Sequence, residues 1–227
     1  STPATSLVTV YFDDAVSVDA GPSNASVCAG DPYILSTASI SNFSSFQWST
    51  SGTGTFSPNE SAQNPTYTPS AGDIASGQVT LTLNATGSGT CATASDDLIL
   101  TIDPLPSIIT AASTLMFCDD VSQLSVSGVS AANYDPSSLK WITNGDGFFI
   151  DDNALNPEYV PQGADFATGV ILYASVNGAT SLACSSAVAQ TQISINFSPA
   201  VSVYAGPAAN ICSGETFAIT NATVSAN

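Results

Sequence analysis

The chain has 227 residues, with Lys140 its only basic side chain, no histidine, 18 acidic residues and a net charge of −17 at neutral pH. A surface so short of cations repels phosphate backbones and anionic headgroups, which excludes nucleic acid or membrane partners recruited through basic patches. Without histidine and with one lysine, most nucleophile–base schemes have no parts. A two-carboxylate hydrolase would remain, but the acids do not recur as a pair at matching positions, so the chain is expected not to be an enzyme.

Leu7–Phe12 (LVTVYF) reads as a short β run, and residues 1–15 as the last strand of a preceding unit. Ser1–Ser6 lacks the basic start and apolar core of a signal peptide, so the chain is expected to be processed or a piece of something longer. VSVDAGP (16–22) opens a unit as a strand stopped by Gly-Pro. SVCAGD (26–31), YILSTA (33–38) and FQWST (46–50) come next, with Phe46 and Trp48 on one face by the period of two. SGTGTF (51–56) is expected to be a glycine hairpin, and NPTYTPSAGDIASG (64–77) a loop broken by prolines. VTLTLNAT (79–86) alternates cleanly, with Val79, Leu81 and Leu83 on one side. DLILTI (97–102) closes the unit, and Pro104 and Pro106 stiffen the junction to the next one.

The same order then returns. MFCDD (116–120), QLSVSGV (123–129), LKWIT (139–143), NGDGFF (144–149), NPEYVPQGADFATG (156–169), VILYASV (170–176) and TQISINF (191–197) are the counterparts. An offset of 93 residues links Cys91 to Cys184 and Trp48 to Trp141, and one of 92 links Tyr67 to Tyr159 and Gly77 to Gly169. A third start appears in VSVYAGP (201–207), ICSGE (211–215) and FAITNAT (217–223). The expected units are therefore 16–105, 106–200 and the opening of another at 201–227. Short strands at turn-separated spacing, about ninety residues per unit, predict an all-β chain of tandem immunoglobulin-like sandwiches arranged as a rod. Trp48, Trp141, Tyr67 and Tyr159 are the expected core anchors.

The five cysteines divide with the repeats. The pairs Cys28–Cys91 and Cys118–Cys184 would close loops of similar length, leaving Cys212 for a partner outside the chain. Each bridge would tie the first segment of its repeat to the last hairpin. Metal binding is the weaker reading, because there is no CxxC and no histidine. Bridged cysteines imply an oxidising, extracellular compartment.

The pattern DAGP…VCAGD…WSTSGTGTF…NPTYTPSAGDIASGQVTLTLNATGSGTC, with its second copy, resembles the PKD-like immunoglobulin-type repeats of very large Bacteroidota surface proteins, including the giant gliding adhesins. NGDG at 144–147 is the nearer match to the family's W-x-F-G-D-G segment, and SGTG at 51–54 lacks its acid. The resemblance covers nearly all of residues 16–199. It implies export to the cell surface by the type IX route and a spacer role.

Asn144–Gly147 with Asp151 and Asp152 has the hard-oxygen, glycine-turn character of calcium loops, which makes Asp146, Asp151 and Asp152 candidate calcium ligands. The first repeat offers only Glu60 there. Asp13, Asp14, Asp19 and Asp103 form a second candidate calcium group, and no other cofactor is expected. Sequons stand at Asn24, Asn42, Asn59, Asn84, Asn196 and Asn221. No stretch approaches the roughly 18 apolar residues of a membrane span. The expected function is a stalk segment of a long extracellular fibre or adhesin, with neighbouring repeats as its partners. The alternatives are a glycan- or cell-surface-binding module using loops 51–60 and 144–153, and a filament subunit joined to other copies.

Overall fold

The structure, a computed structural model, describes residues 3, 5–10, 12–87, 93–208, 210–216, 218–219 and 222–225. Cys91 and the Asn221 sequon lie outside the described residues.

The chain forms two compact units. The first holds β1 (Ser17–Asp19), β2 (Asn24–Cys28), β3 (Tyr33–Ile34), β4 (Ser39–Ser41), β5 (Phe43–Thr50), β6 (Thr55–Ser57), β7 (Thr66–Thr68), α1 (Ala71–Ser76), β8 (Gln78–Gly87) and β9 (Thr93–Asp103). One sheet runs β2-β9-β8-β5, with β2 parallel to β9 and the other pairs antiparallel. A second sheet runs β3-β7-β6, and β1 pairs with β4. Alternation drives the packing. Val79, Leu81 and Leu83 of β8 are buried together with Leu98, Leu100 and Ile102 of β9, while Thr80 and Thr82 lie on the opposite side of β8. They meet Tyr67 of β7, Phe56 of β6 and Trp48 of β5 in one apolar cluster, so two sheets share a single core. Each fully buried leucine contributes roughly 2–3 kcal/mol.

The second unit repeats this plan with β10 (Ser107–Thr110), β11 (Thr114–Cys118), β12 (Leu124–Ser125), β13 (Val129–Ala132), β14 (Lys140–Thr143), β15 (Phe148–Phe149), β16 (Glu158–Val160), α2 (Asp165–Thr168), β17 (Val170–Asn177) and β18 (Val188–Ser198). Its sheets run β11-β18-β17-β14, again with one parallel pair, and β12-β16-β15, while β10 pairs with β13. Residues 201 onward add a ladder of β19 (Ser202–Tyr204) with β20 (Thr223–Ser225), a third copy of the β1–β4 pairing. The architecture is all-β, as tandem immunoglobulin-like sandwiches.

Three features depart from the expectations. The division between units does not follow the repeat boundary. Gly178–Ala187, the connection from β17 to β18, belongs to the first unit, while β17 and β18 themselves belong to the second. Residues 51–54 are not a hairpin turn: β5 pairs with β8 and β6 with β7, so this stretch carries the chain from one sheet to the other. The 64–77 loop contains a helix, α1, started by a reciprocal cap in which Ser70 accepts from the Asp73 backbone and Asp73 accepts from that of Ser70. No ladder among the described residues includes Leu7–Val10 or Phe12, and Leu7 and Phe12 are each 92% exposed.

Candidate functional site

Two constructions recur or join across this plan: a buried carboxylate knot in each unit, and a disulfide in the first.

The knot begins with the Trp strand. Trp48 and Trp141 are each 1% exposed, and their indole N–H groups donate to Gln63 O and Ala154 O. Two residues further on, Thr50 and Thr143 start a relay. In the first unit Gly52 N–H donates to Thr50 Oγ1 (3.1 Å), which lies 3.0 Å from the Tyr67 hydroxyl. That hydroxyl donates to Asp73 Oδ2 at 2.8 Å. Asp73 also accepts from Thr53 N and Ser70 N, each at 2.9 Å. The second unit matches it: Gly145 N to Thr143, Thr143 beside Tyr159, and Tyr159 to Asp165 Oδ2 at 2.8 Å. Asp165 accepts further from Asp146 N, Gly147 N and Gln162 N. A charged group buried this deeply persists only when its lone pairs are filled, and here backbone donors from the surrounding loop segments fill them.

The glycines in T-x-G-x-G have their reason here. A Cβ on Gly145 would stand 2.0 Å from Asp165 Oδ1, and one on Gly52 would stand 2.1 Å from Asp73 Oδ1. Burial works against ionisation of Asp73, but its donors outweigh burial and hold the carboxyl below its ordinary range. Burial, helped by the neighbouring carboxylate, raises the Tyr67 hydroxyl and pushes Tyr159 up to about 12. The carboxylates are saturated from inside the fold, so the knot ties loops together rather than presenting a reactive group. The sequence pattern singles out Tyr67 and Tyr159 for the core and passes over Asp73 and Asp165. Their signal is a T-x-G-x-G segment recurring ahead of a Tyr–Asp pair six residues apart.

The proposed calcium ligands are not brought together. Asp146 Oδ2 accepts from Ala164 N at the start of α2, Asp151 accepts from Asn153 N, and Asp152 pairs with Lys140. In the second group, Asp19 accepts from Gly21 N and Asp103 from Ala183 N (2.6 Å). Among the described residues no three acidic or cysteine side chains converge as a metal site would require.

The disulfide corrects the expected pairing. Cys28 is bonded to Cys184, 156 residues away, rather than to Cys91; Cys118, expected to bond Cys184, is an exposed thiol, as is Cys212. The reason lies in where the β17–β18 connection goes. Within the first unit, Gly178–Ala187 folds as a compact loop closed by Gly178 N–Ala187 O, Leu182 N–Ala179 O and Ala187 N–Cys184 O bonds. It docks on the ends of β2 and β9, where Ala183 N–H donates to Asp103 and Cys184 is 1% exposed. Cys28 terminates β2 at the same level, opposite Asp103 in the parallel ladder. The partner types are as expected, a first segment and a last hairpin, but they come from different repeats of the sequence.

No known family profile matches the chain, and no curated protein matches it. Solved structures do. Drosophila N-cadherin EC1–4 aligns over 82% of this chain and 49% of its own, at 13% identity and a TM-score of 0.51. Mouse cadherin-23 EC22–24 aligns over 81% of this chain and 66% of its own, at 13% identity and a TM-score of 0.49. The chain thus spans less than two thirds of either. At this identity the likeness to the N-cadherin repeats is one of fold: consecutive immunoglobulin-like β-sandwiches.

Proposed function

We propose that the chain is a load-bearing stalk segment of a long extracellular surface fibre or adhesin, of the kind built in the giant gliding adhesins exported by the type IX route. The observation that carries this reading is the Cys28–Cys184 bond, which fastens a loop from the second repeat of the sequence into the first unit. A covalent tie across the repeat order serves an array that must stay connected under tension, and it requires an oxidising compartment. The knots support the same role, since the loops that a ligand-binding sandwich would vary are held here by buried carboxylates. Neighbouring repeats are its partners. The acidic, cation-poor surface keeps such a fibre off nucleic acid and anionic lipid.

Antibodies against residues 16–199 test the reading on intact cells that produce the protein. Surface labelling that is removed by protease shaving, along extended fibres in electron micrographs, is the expected result. Signal seen only after lysis would overturn it. Saturable binding of the 227-residue chain to a glycan array, lost on substituting loop 51–60 or 144–153, would establish the binding module instead.

A further inference from the structure

We propose that Cys118, at the end of β11, is the docking point for a cysteine loop of the Gly178–Ala187 type carried by another repeat of the sequence, so that each such disulfide fastens a loop of one sequence repeat into the unit that carries the receiving strand. The proposal rests on the disulfide's geometry and not on the stalk reading.

Cys28 and Cys118 occupy the same place. Each ends a five-residue strand paired in parallel with the last strand of its unit, Cys28 opposite Asp103 and Cys118 opposite Ser198. The next residue donates to that opposite carbonyl in both: Ala29 N to Asp103 O at 2.8 Å, Asp119 N to Ser198 O at 2.9 Å. The turn after it also recurs, with Asp31 N to Cys28 O and Val121 N to Cys118 O, and a third time as Glu215 N to Cys212 O. The difference is the cover. Cys28 is buried under the docked loop, whereas Cys118 is exposed and its neighbour Met116 is 63% exposed. Where Asp103 accepts from the loop's Ala183 N–H, the second unit has Ser198, whose hydroxyl donates to Phe117 O and keeps lone pairs free to accept. The surface around Cys118 is therefore the receiving half of a joint whose assembled form is already present at Cys28.

Bond formation takes one proton and one electron from each thiol. A small disulfide such as oxidised glutathione receives both pairs and leaves as two thiols.

The test extends the 227-residue chain after Asn227 with a copy of residues 134–200, because Asn227 aligns with Asn133. Ser186→Thr in the appended copy serves as a mass label. After oxidation in a glutathione buffer, peptic fragments are mapped without reduction. The expected result is Cys118 linked to the labelled loop, with Cys28–Cys184 retained. Cys118 found as a free thiol, or linked to Cys91 or Cys212, in a chain that retains Cys28–Cys184 overturns the proposal. Should the added unit fail to fold, the unmodified chain decides. A peptide of residues 178–187 should form the mixed disulfide at Cys118 at least about 10-fold more favourably than a permuted peptide. Equal reaction of the two peptides overturns it.

Discussion

A chain pulled from its two ends should lengthen in a way set by the Cys28–Cys184 bond. The bond bypasses 156 residue steps, so tension runs through the sulfurs and the chain between the two cysteines bears none of it. At about 3.5 Å per extended residue, the protected length is about 550 Å. In an optical trap under oxidising conditions, only the segments before Cys28 and after Cys184 should extend. Adding a phosphine reductant, or using Cys28→Ser, should release the further 550 Å or so as the strands between the two cysteines become loaded. Reduction should also lower the equilibrium stability of the first unit by about 5 kcal/mol, the chain-entropy value for a loop this long. Release of the full length without reductant, or no change on adding it, would refute the assignment of the bond and the load path drawn from it.

The knots give two further outcomes. Asp165→Asn keeps the shape of the carboxylate but sets an amide N–H₂ against buried donors. Unfolding by urea, followed through Trp141 in a Trp48→Phe background, should show a loss of about 2–4 kcal/mol; Gly145→Ala, which drives a methyl group into the same carboxylate, should fall in the same range. A loss below about 1 kcal/mol in both would show that the carboxylate does not hold the loops. The second outcome concerns alkaline pH. The Tyr159 hydroxyl is pushed up to about 12 in the folded chain, against about 10 when unfolded, so the folded state retains a proton that the unfolded state has lost. Its contribution is intact below pH 10 and is lost as pH rises from about 10 to about 12. Tyr159→Phe should flatten the stability curve across that window, and an unchanged slope would refute the linkage.

The two tyrosines show how far a repeated sequence can be read. Tyr67 and Tyr159 recur at a fixed offset inside alternating apolar runs, and both lie at the centre of their cores. What binds each tyrosine was not legible, because the Thr50–Gly54 and Asp73 segments meet only after the chain crosses from one sheet to the other. The helix α1 was hidden for a related reason: a six-residue element preceded by Pro65 and Pro69 has too little period to read, and its start signal used Asp where Glu or Gln is usual. The candidate calcium residues were picked out by composition, which says nothing of their partners: Asp146 and Asp151 accept from backbone donors and Asp152 pairs with Lys140.

By itself the sequence determined the repeat, the alternation of core strands and the positions of the cysteines, since each of these is written in local spacing. It could not determine which cysteines bond. Spacing within a repeat favoured Cys28 with Cys91 and Cys118 with Cys184, loops of similar length, and a one-dimensional pattern cannot distinguish a loop folding back on its own unit from one reaching another. The tertiary structure decided it. The β17–β18 connection lies on the ends of β2 and β9 in the first unit, and proximity in space, not in sequence, sets where a disulfide forms.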